Sequence, residues 1–196
     1  MTTCKADHMS TNLRKYTKAL YMLDAVAQRV PADAWDNPSC CDGWTAREAA
    51  GHASWLIRNT ASLASGNGST PEQAEADVVG DEPAAAVRAI VDDTVKALDQ
   101  KGALQRIAQT PFGEMPIDAF IGIVWVDPMT HAWDVADAAG IAHGIDNDSA
   151  AAALAQMQPM SDALRGPGMF GEIREPTGDD AVSAYIAFTG RKSVAS

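Results

Sequence analysis

Apolar residues recur at intervals of three and four along most of the chain, in blocks separated by polar stretches bearing glycine and proline, which is the pattern of packed amphipathic helices. Leu13, Tyr16, Leu20, Leu23, Ala27 and Val30 place one apolar face on a first helix over 13–30. Residues 1–10 lack this periodicity and read as a disordered start, with Met9 as an alternative initiator. After a loop carrying Asn37, Pro38, Ser39, Asp42 and Gly43, Thr45 is followed three residues later by Glu48. That spacing is a capping box, in which side chain and backbone satisfy each other at a helix start. Trp44, just before the cap, is placed to pack on Ala49 as a hydrophobic staple. The second helix runs to about residue 65 and ends at Gly66, Asn67 and Gly68, with Ala49, His52, Leu56 and Leu63 on its inward face.

Residues 66–82 form a polar connection longer than an antiparallel helical hairpin needs, which predicts a crossover. Pro83 suits the first turn of a third helix, with Val87, Ile90, Val91, Thr94, Val95 and Leu98 on its apolar side and Lys101 and Gly102 closing it. Pro111, Gly113 and Pro116 mark turns, and a fourth helix over 117–139 ends at Gly140. Asp148 is expected to cap an alanine-rich helix to about residue 158, and Asp179 or Asp180 to start a last one ending near Gly190. Residues 165–171 read as a loop or short extended piece. The pattern predicts an all-α chain with a single domain over 11–196, since no repeat or linker divides it.

Composition narrows the functional classes. A chain of 196 residues, 46% of them hydrophobic, can bury a core without disulfide or metal staples. A metal here would therefore be functional rather than structural. The formal net charge of -11, with no clustered Lys and Arg, argues against nucleic acid as the default partner. The longest apolar run, 120–126, falls far short of the roughly 20 residues that span a bilayer, and no signal peptide opens the chain, so a cytoplasmic protein without a membrane partner is expected. The three cysteines, Cys4, Cys40 and Cys41, are an odd set with two adjacent members, which suits a reducing compartment; they read as small buried or partly exposed thiols.

The candidate chemistry lies in His52, Asp127 and His131. Asp127 and His131 are four apart, so on a continuous helix they share a face, and a facing helix could add His52. Two imidazoles and a carboxylate suit Zn²⁺, with Ni²⁺, Co²⁺ or Fe²⁺ also compatible, and three protein ligands leave a position for water or substrate. Pro128 supports a competing geometry. It would remove the bond to the Val124 carbonyl, and Asp127 followed by proline is also the pattern of an N-cap that restarts a helix, its carboxylate turned to backbone amides. Both geometries are physically sound. His8 falls in the aperiodic start and His143 in a loop flanked by Gly140 and Gly144, so both are read as outside any site.

Several blocks carry a resemblance. Asp33, Ala34 and Trp35, then Ser39, Cys41-Asp42-Gly43-Trp44-Thr45 and His52 form the first. Thr110-Pro111-Phe112-Gly113 and His131-Ala132-Trp133-Asp134-Val135-Ala136 with Gly140 form the second, and Met169-Phe170-Gly171 with Phe188-Thr189-Gly190-Arg191 the third. Together they resemble the DinB/YfiT-like metal-binding proteins, in particular the actinobacterial branch related to mycothiol-dependent maleylpyruvate isomerase. The resemblance implies a four-helix bundle in up-down-down-up order, with short extra helices in the C-terminal tail. It also implies a divalent metal, zinc first and nickel as an alternative, on His52, Asp127 and His131, where Asp127 stands in place of the usual glutamate.

The activity implied is transfer of a low-molecular-weight thiol such as mycothiol to an electrophilic small molecule. Mycothiol-dependent cis-trans isomerisation of the maleylpyruvate type ranks second, because only a short tail follows the bundle, and a non-catalytic metal- or ligand-binding bundle is the remaining reading. Homo-oligomerisation is left open, and no side chain is assigned as proton acceptor. Trp44 and Trp133 read as packing anchors. Asp134 either orients His131 or is a solvated acid, and Arg165 reads as a helix-end cation rather than a contact for an anionic substrate.

Overall fold

The computed structural model describes residues 9–165 and 169–195. His8, Cys4 and the reading of residues 1–8 as disordered lie outside the described residues. The chain is mostly helical, with one small antiparallel sheet.

Helix α1 (Thr11–Ala27) starts at an ordered cap: Ser10 Oγ accepts the Leu13 amide at 3.0 Å. Order thus reaches Ser10, which the absence of periodicity could not reveal, and the Ser10 hydroxyl also bonds Asp118. The helix stops at Ala27, a turn before Val30, and buries Tyr16, Leu20, Leu23 and Val26. Helix α2 (Ala46–Ser65) opens with the expected capping box: Thr45 N donates to Glu48 Oε2 at 2.7 Å and Glu48 N to Thr45 Oγ1 at 3.3 Å. Gly66 ends it in the left-handed region at φ +83°.

The connection between α2 and the next long helix is not loose. It contains a short helix α3 (Glu75–Val79) seated on α2 so closely that a Cβ on Gly51 would lie 1.8 Å from the Glu75 carbonyl oxygen. Side chains of α2 hold the rest of it: Trp55 Nε1 donates to Pro71 O at 2.9 Å, Arg58 donates to Val78 O at 3.0 Å, and Asn59 accepts the Thr70 amide at 2.9 Å. Helix α4 (Pro83–Leu98) follows with the expected first-turn proline and buries Val87, Ile90, Val91, Thr94 and Leu98.

Two expectations need correction beyond α4. The turn signals belong to a hairpin of β1 (Ile107–Thr110) and β2 (Gly113–Pro116), paired from Ile107 with Pro116 to Thr110 with Gly113. Four residues per strand are too few for alternation to stand out in sequence. The fourth helix is also two helices, α5 (Ile117–Val124) and α6 (Val126–Ala138), joined at Trp125. Trp125 keeps helical angles (φ -58°, ψ -24°) and still donates to Ile121 O at 3.1 Å, so the backbone continues through the joint. Pro128 has no N–H for Val124 O, and its ring interrupts the ladder there.

Helices α1, α2, α4 and the α5–α6 pair pack on one another, α1 against α4, α5 and α6, and α2 against α4 and α6. Their buried residues form one continuous core. The tail adds α7 (Asn147–Met157), α8 (Ser161–Arg165) and α9 (Ala181–Thr189), with α9 packed on α7. Asp146 caps α7 in place of Asp148, which falls in the first turn, and Asp180 caps α9. Among the described residues no helix is long and apolar enough to cross a membrane.

Thr45→Ala should lower stability in urea by about 1 kcal/mol, the usual cost of a lost cap. Gly51→Ala should cost more, since α3 must move away; a Gly51→Ala protein as stable as the parent would mean that α3 is not seated on α2.

Candidate metal centre

His52 stands in the second turn of α2, while Asp127 and His131 stand a turn apart at the start of α6. The packing of α2 on α6 brings one donor atom from each residue within 4.8 Å of the others. His131 Nε2 lies 3.8 Å from Asp127 Oδ2, and the two imidazole rings meet edge to face with centroids 5.1 Å apart. Trp44 is drawn into the same place, its ring centroid 4.8 Å from that of His52 and 6.2 Å from that of His131.

The N-cap geometry for Asp127 is not adopted. Helix α6 has no side-chain cap, because the helical backbone at Trp125 leaves no extended residue at its entry. Asp127 Oδ1 is instead buried without a hydrogen-bond partner, and Oδ2 turns to His131. An unanswered buried acceptor costs about 1–3 kcal/mol, so this oxygen calls for a donor or a cation. Donor atoms on a tetrahedral zinc ion, with bonds of about 2.0–2.1 Å, sit roughly 3.4 Å apart. The 3.8 Å between Nε2 and Oδ2 is close to that separation, and the three donors fit a divalent ion.

The two imidazoles differ electrostatically. Burial lowers the pKa of His52 and outweighs the opposing charge of Asp127, so its ring is neutral and keeps a lone pair. For His131 burial also pulls down, but Asp127, Asp134 and Cys41 together outweigh it and bring the ring up to about 10. The surroundings of this ring favour positive charge, and a proton or a metal ion answers the same demand.

Asp134 underlies this arrangement. Its side chain is fully buried, its Oδ2 lies 2.8 Å from His131 Nδ1, and the contact runs off the ring's N–H direction, an ion-pair contact rather than an aligned hydrogen bond. Arg191 grips the carboxylate from behind, Nε donating to Oδ1 at 2.5 Å and Nη2 to Oδ2 at 2.8 Å. Burial alone would raise the Asp134 carboxyl; Arg191 and His131 overcome it and hold the group well below the usual carboxylate range. Cys40 and Cys41 reach the same carboxylate from the loop before α2, at 3.0 and 3.4 Å. Of the two readings left open for Asp134, the solvated acid is excluded by its burial and the His131 contact is present. Arg191 and the cysteines had no assigned role in the sequence, because the carboxylate they meet, Asp134, lies 57 residues from Arg191 and 94 from Cys40.

The remaining candidates lie elsewhere. His143 accepts the Ile145 amide on Nδ1 at 3.0 Å, in the loop after α6. Arg165 lies over the Phe188 ring at 4.8 Å and donates to Phe188 O at 2.6 Å, a packing role at the end of α8. Trp133 is partly buried against the core.

A sequence profile of the mycothiol maleylpyruvate isomerase N-terminal domain family matches residues 17–136. The chain belongs to this family. Two uncharacterized proteins of Mycobacterium tuberculosis, from strains CDC 1551 / Oshkosh and ATCC 25618 / H37Rv, are similar to it, each 27% identical over 185 residues that cover 91% of this chain and 98% of the relative. No solved structure matches the chain significantly. The stretch matched to the mycothiol maleylpyruvate isomerase N-terminal domain contains His52, Asp127, His131 and Asp134, whereas Arg191 lies beyond it.

Removing one partner of a buried ion pair strands the other charge. Arg191→Ala should therefore lower the unfolding free energy by about 3 kcal/mol, and combining Asp134→Asn with Arg191→Met should restore part of it. Equal losses in both proteins would show that the ion pair is not the source.

Proposed function

We propose that the protein holds one divalent metal ion on His52, Asp127 and His131 and presents it to a low-molecular-weight thiol, mycothiol by family, for transfer to a small electrophile. The observation that carries this reading is the buried, unpartnered Asp127 Oδ1 beside two converging imidazoles. The donor set favours zinc, with nickel also suited. When bound, such an ion stabilises thiolate over thiol at neutral pH.

The chain's own residues prepare the site. His52 is kept neutral by burial and so offers its lone pair without first losing a proton. Asp134 holds the Nδ1 edge of His131, which leaves Nε2 directed toward Asp127. Arg191 pairs with Asp134 and keeps that carboxylate in place at the Nδ1 edge of the ring. Trp44 lies against both rings and limits water on that side.

Thiol-dependent cis-trans isomerisation is the second reading, favoured by the description of the matched family. The same three residues would serve it. In both readings the partners are a small thiol and a small electrophile rather than nucleic acid or membrane, in keeping with the net charge of -11. We read residues 11–196 as one cytoplasmic domain with a DinB-like four-helix core in up-down-down-up order, on the packing of α1, α2, α4 and α5–α6.

Untagged protein should retain a divalent ion on these residues, and His52→Ala or His131→Ala should each lower the metal content by about one ion per chain in elemental analysis. Asp134→Asn should weaken metal affinity by roughly 10- to 100-fold without emptying the site. A chelator should abolish thiol conjugation to a model electrophile. Substoichiometric metal that His52→Ala leaves unchanged would defeat the proposal.

A further inference from the structure

Cys40 and Cys41 are adjacent in sequence and converge on one carboxylate. The loop that carries them is closed by a bridge between Pro38 and Thr45, with Ser39 N donating to Trp44 O at 2.8 Å and Trp44 N to Cys41 O at 3.0 Å. Its turn is completed by Gly43 at φ +79°. Within this loop both thiols point to Asp134, Cys40 Sγ at 3.0 Å from Oδ1 and Cys41 Sγ at 3.4 Å from Oδ2. The two sulfurs and a carboxylate oxygen all lie within 4.8 Å of one another.

From these contacts we propose that Cys40 and Cys41, with Asp134 as oxygen donor, form a second site, specific for a soft divalent cation. A four-coordinate ion with bonds of about 2.3 Å to sulfur holds its sulfurs roughly 3.8 Å apart, and the two sulfurs lie within 4.8 Å of each other. Sulfur donors select soft ions over Mg²⁺ or Ca²⁺. The charge balance points to a divalent ion, because Arg191 already cancels Asp134 and two thiolates remain. On binding, two S–H bonds break, two sulfur–metal bonds form, and two protons pass to solvent through the partly exposed face of the cysteines. The Asp134 oxygens lose the S–H donors and gain the cation, while Arg191 stays in place. His131 Nδ1 belongs to a side chain only 7% exposed, has no aligned hydrogen-bond partner, and borders the same Asp134 oxygen. Its position adds a nitrogen donor at the edge of the cluster. The site lies on the Nδ1 side of His131, whereas Asp127 meets the ring's far nitrogen, and its two sulfur donors take no part in the centre on His52, Asp127 and His131.

Cadmium ion is the probe, because thiolate ligation gives an ultraviolet charge-transfer band that nitrogen and oxygen ligation does not. In a Cys4→Ser background the band should saturate at one thiol-bound ion per chain. Cys40→Ser and Cys41→Ser should each weaken the binding by about tenfold or more and roughly halve the band, with helical circular dichroism unchanged. His52→Ala should leave the band intact. In the unmutated chain, cadmium should protect Cys40 and Cys41, but not Cys4, from alkylation as read by peptide mass. A missing band, a single-cysteine variant that binds as tightly as its parent, a band lost with His52→Ala, or alkylation unaffected by cadmium would each overturn the proposal.

Discussion

A fully buried carboxylate must be met by positive charge and hydrogen-bond donors, and the way Asp134 is met organises the whole region around the candidate metal centre. Arg191 reaches it from the segment after α9, the two cysteines from the loop before α2, and His131 from the next turn of its own helix. Three stretches of chain meet at one side chain. This is why the C-terminal tail still bears on the candidate metal centre: without Arg191 the carboxylate would be an unpaired buried charge beside the His131 imidazole.

The same contact divides the labour between two acids on α6. Asp127 is directed at His52 and His131 with an unanswered oxygen, and Asp134, neutralised by Arg191, fixes the other edge of the His131 ring. Two carboxylates seven residues apart thus have opposite assignments because one has a permanent guanidinium partner and the other does not. The joint at Trp125 contributes to this division. A helical backbone there keeps Asp127 on the face of His131, and the proline that follows breaks the hydrogen-bond ladder without turning the chain away.

Much of the frame was legible beforehand. The helices over Leu13, Tyr16, Leu20 and Leu23 and over Val87, Ile90, Val91 and Thr94 follow from 3.6-residue periodicity, and the Thr45–Glu48 box from its spacing. These are local signals, carried within one or two turns. The hairpin at 107–116 and the helix α3 were missed because each is too short for periodicity to rise above chance, and α3 in addition depends on Gly51 admitting its backbone. The shift of the α7 cap from Asp148 to Asp146 is the same kind of ambiguity: two acids two residues apart both satisfy the pattern, and only the backbone at position 146 is extended.

For the site, the sequence by itself determined the residue types and the faces they occupy: His52 on the inward side of a well-capped helix, and an acid and a histidine one turn apart on another. It left Asp127 between ligand and cap, Asp134 between buried and solvated, and the cysteines without a role. Tertiary structure alone turned Asp127 from the cap geometry toward His131, buried Asp134 and brought the cysteines to it, because these contacts depend on how the helices and loops pack. Whether a carboxylate is buried, and which cation answers it, is a property of the packed helices and not of the few residues on either side.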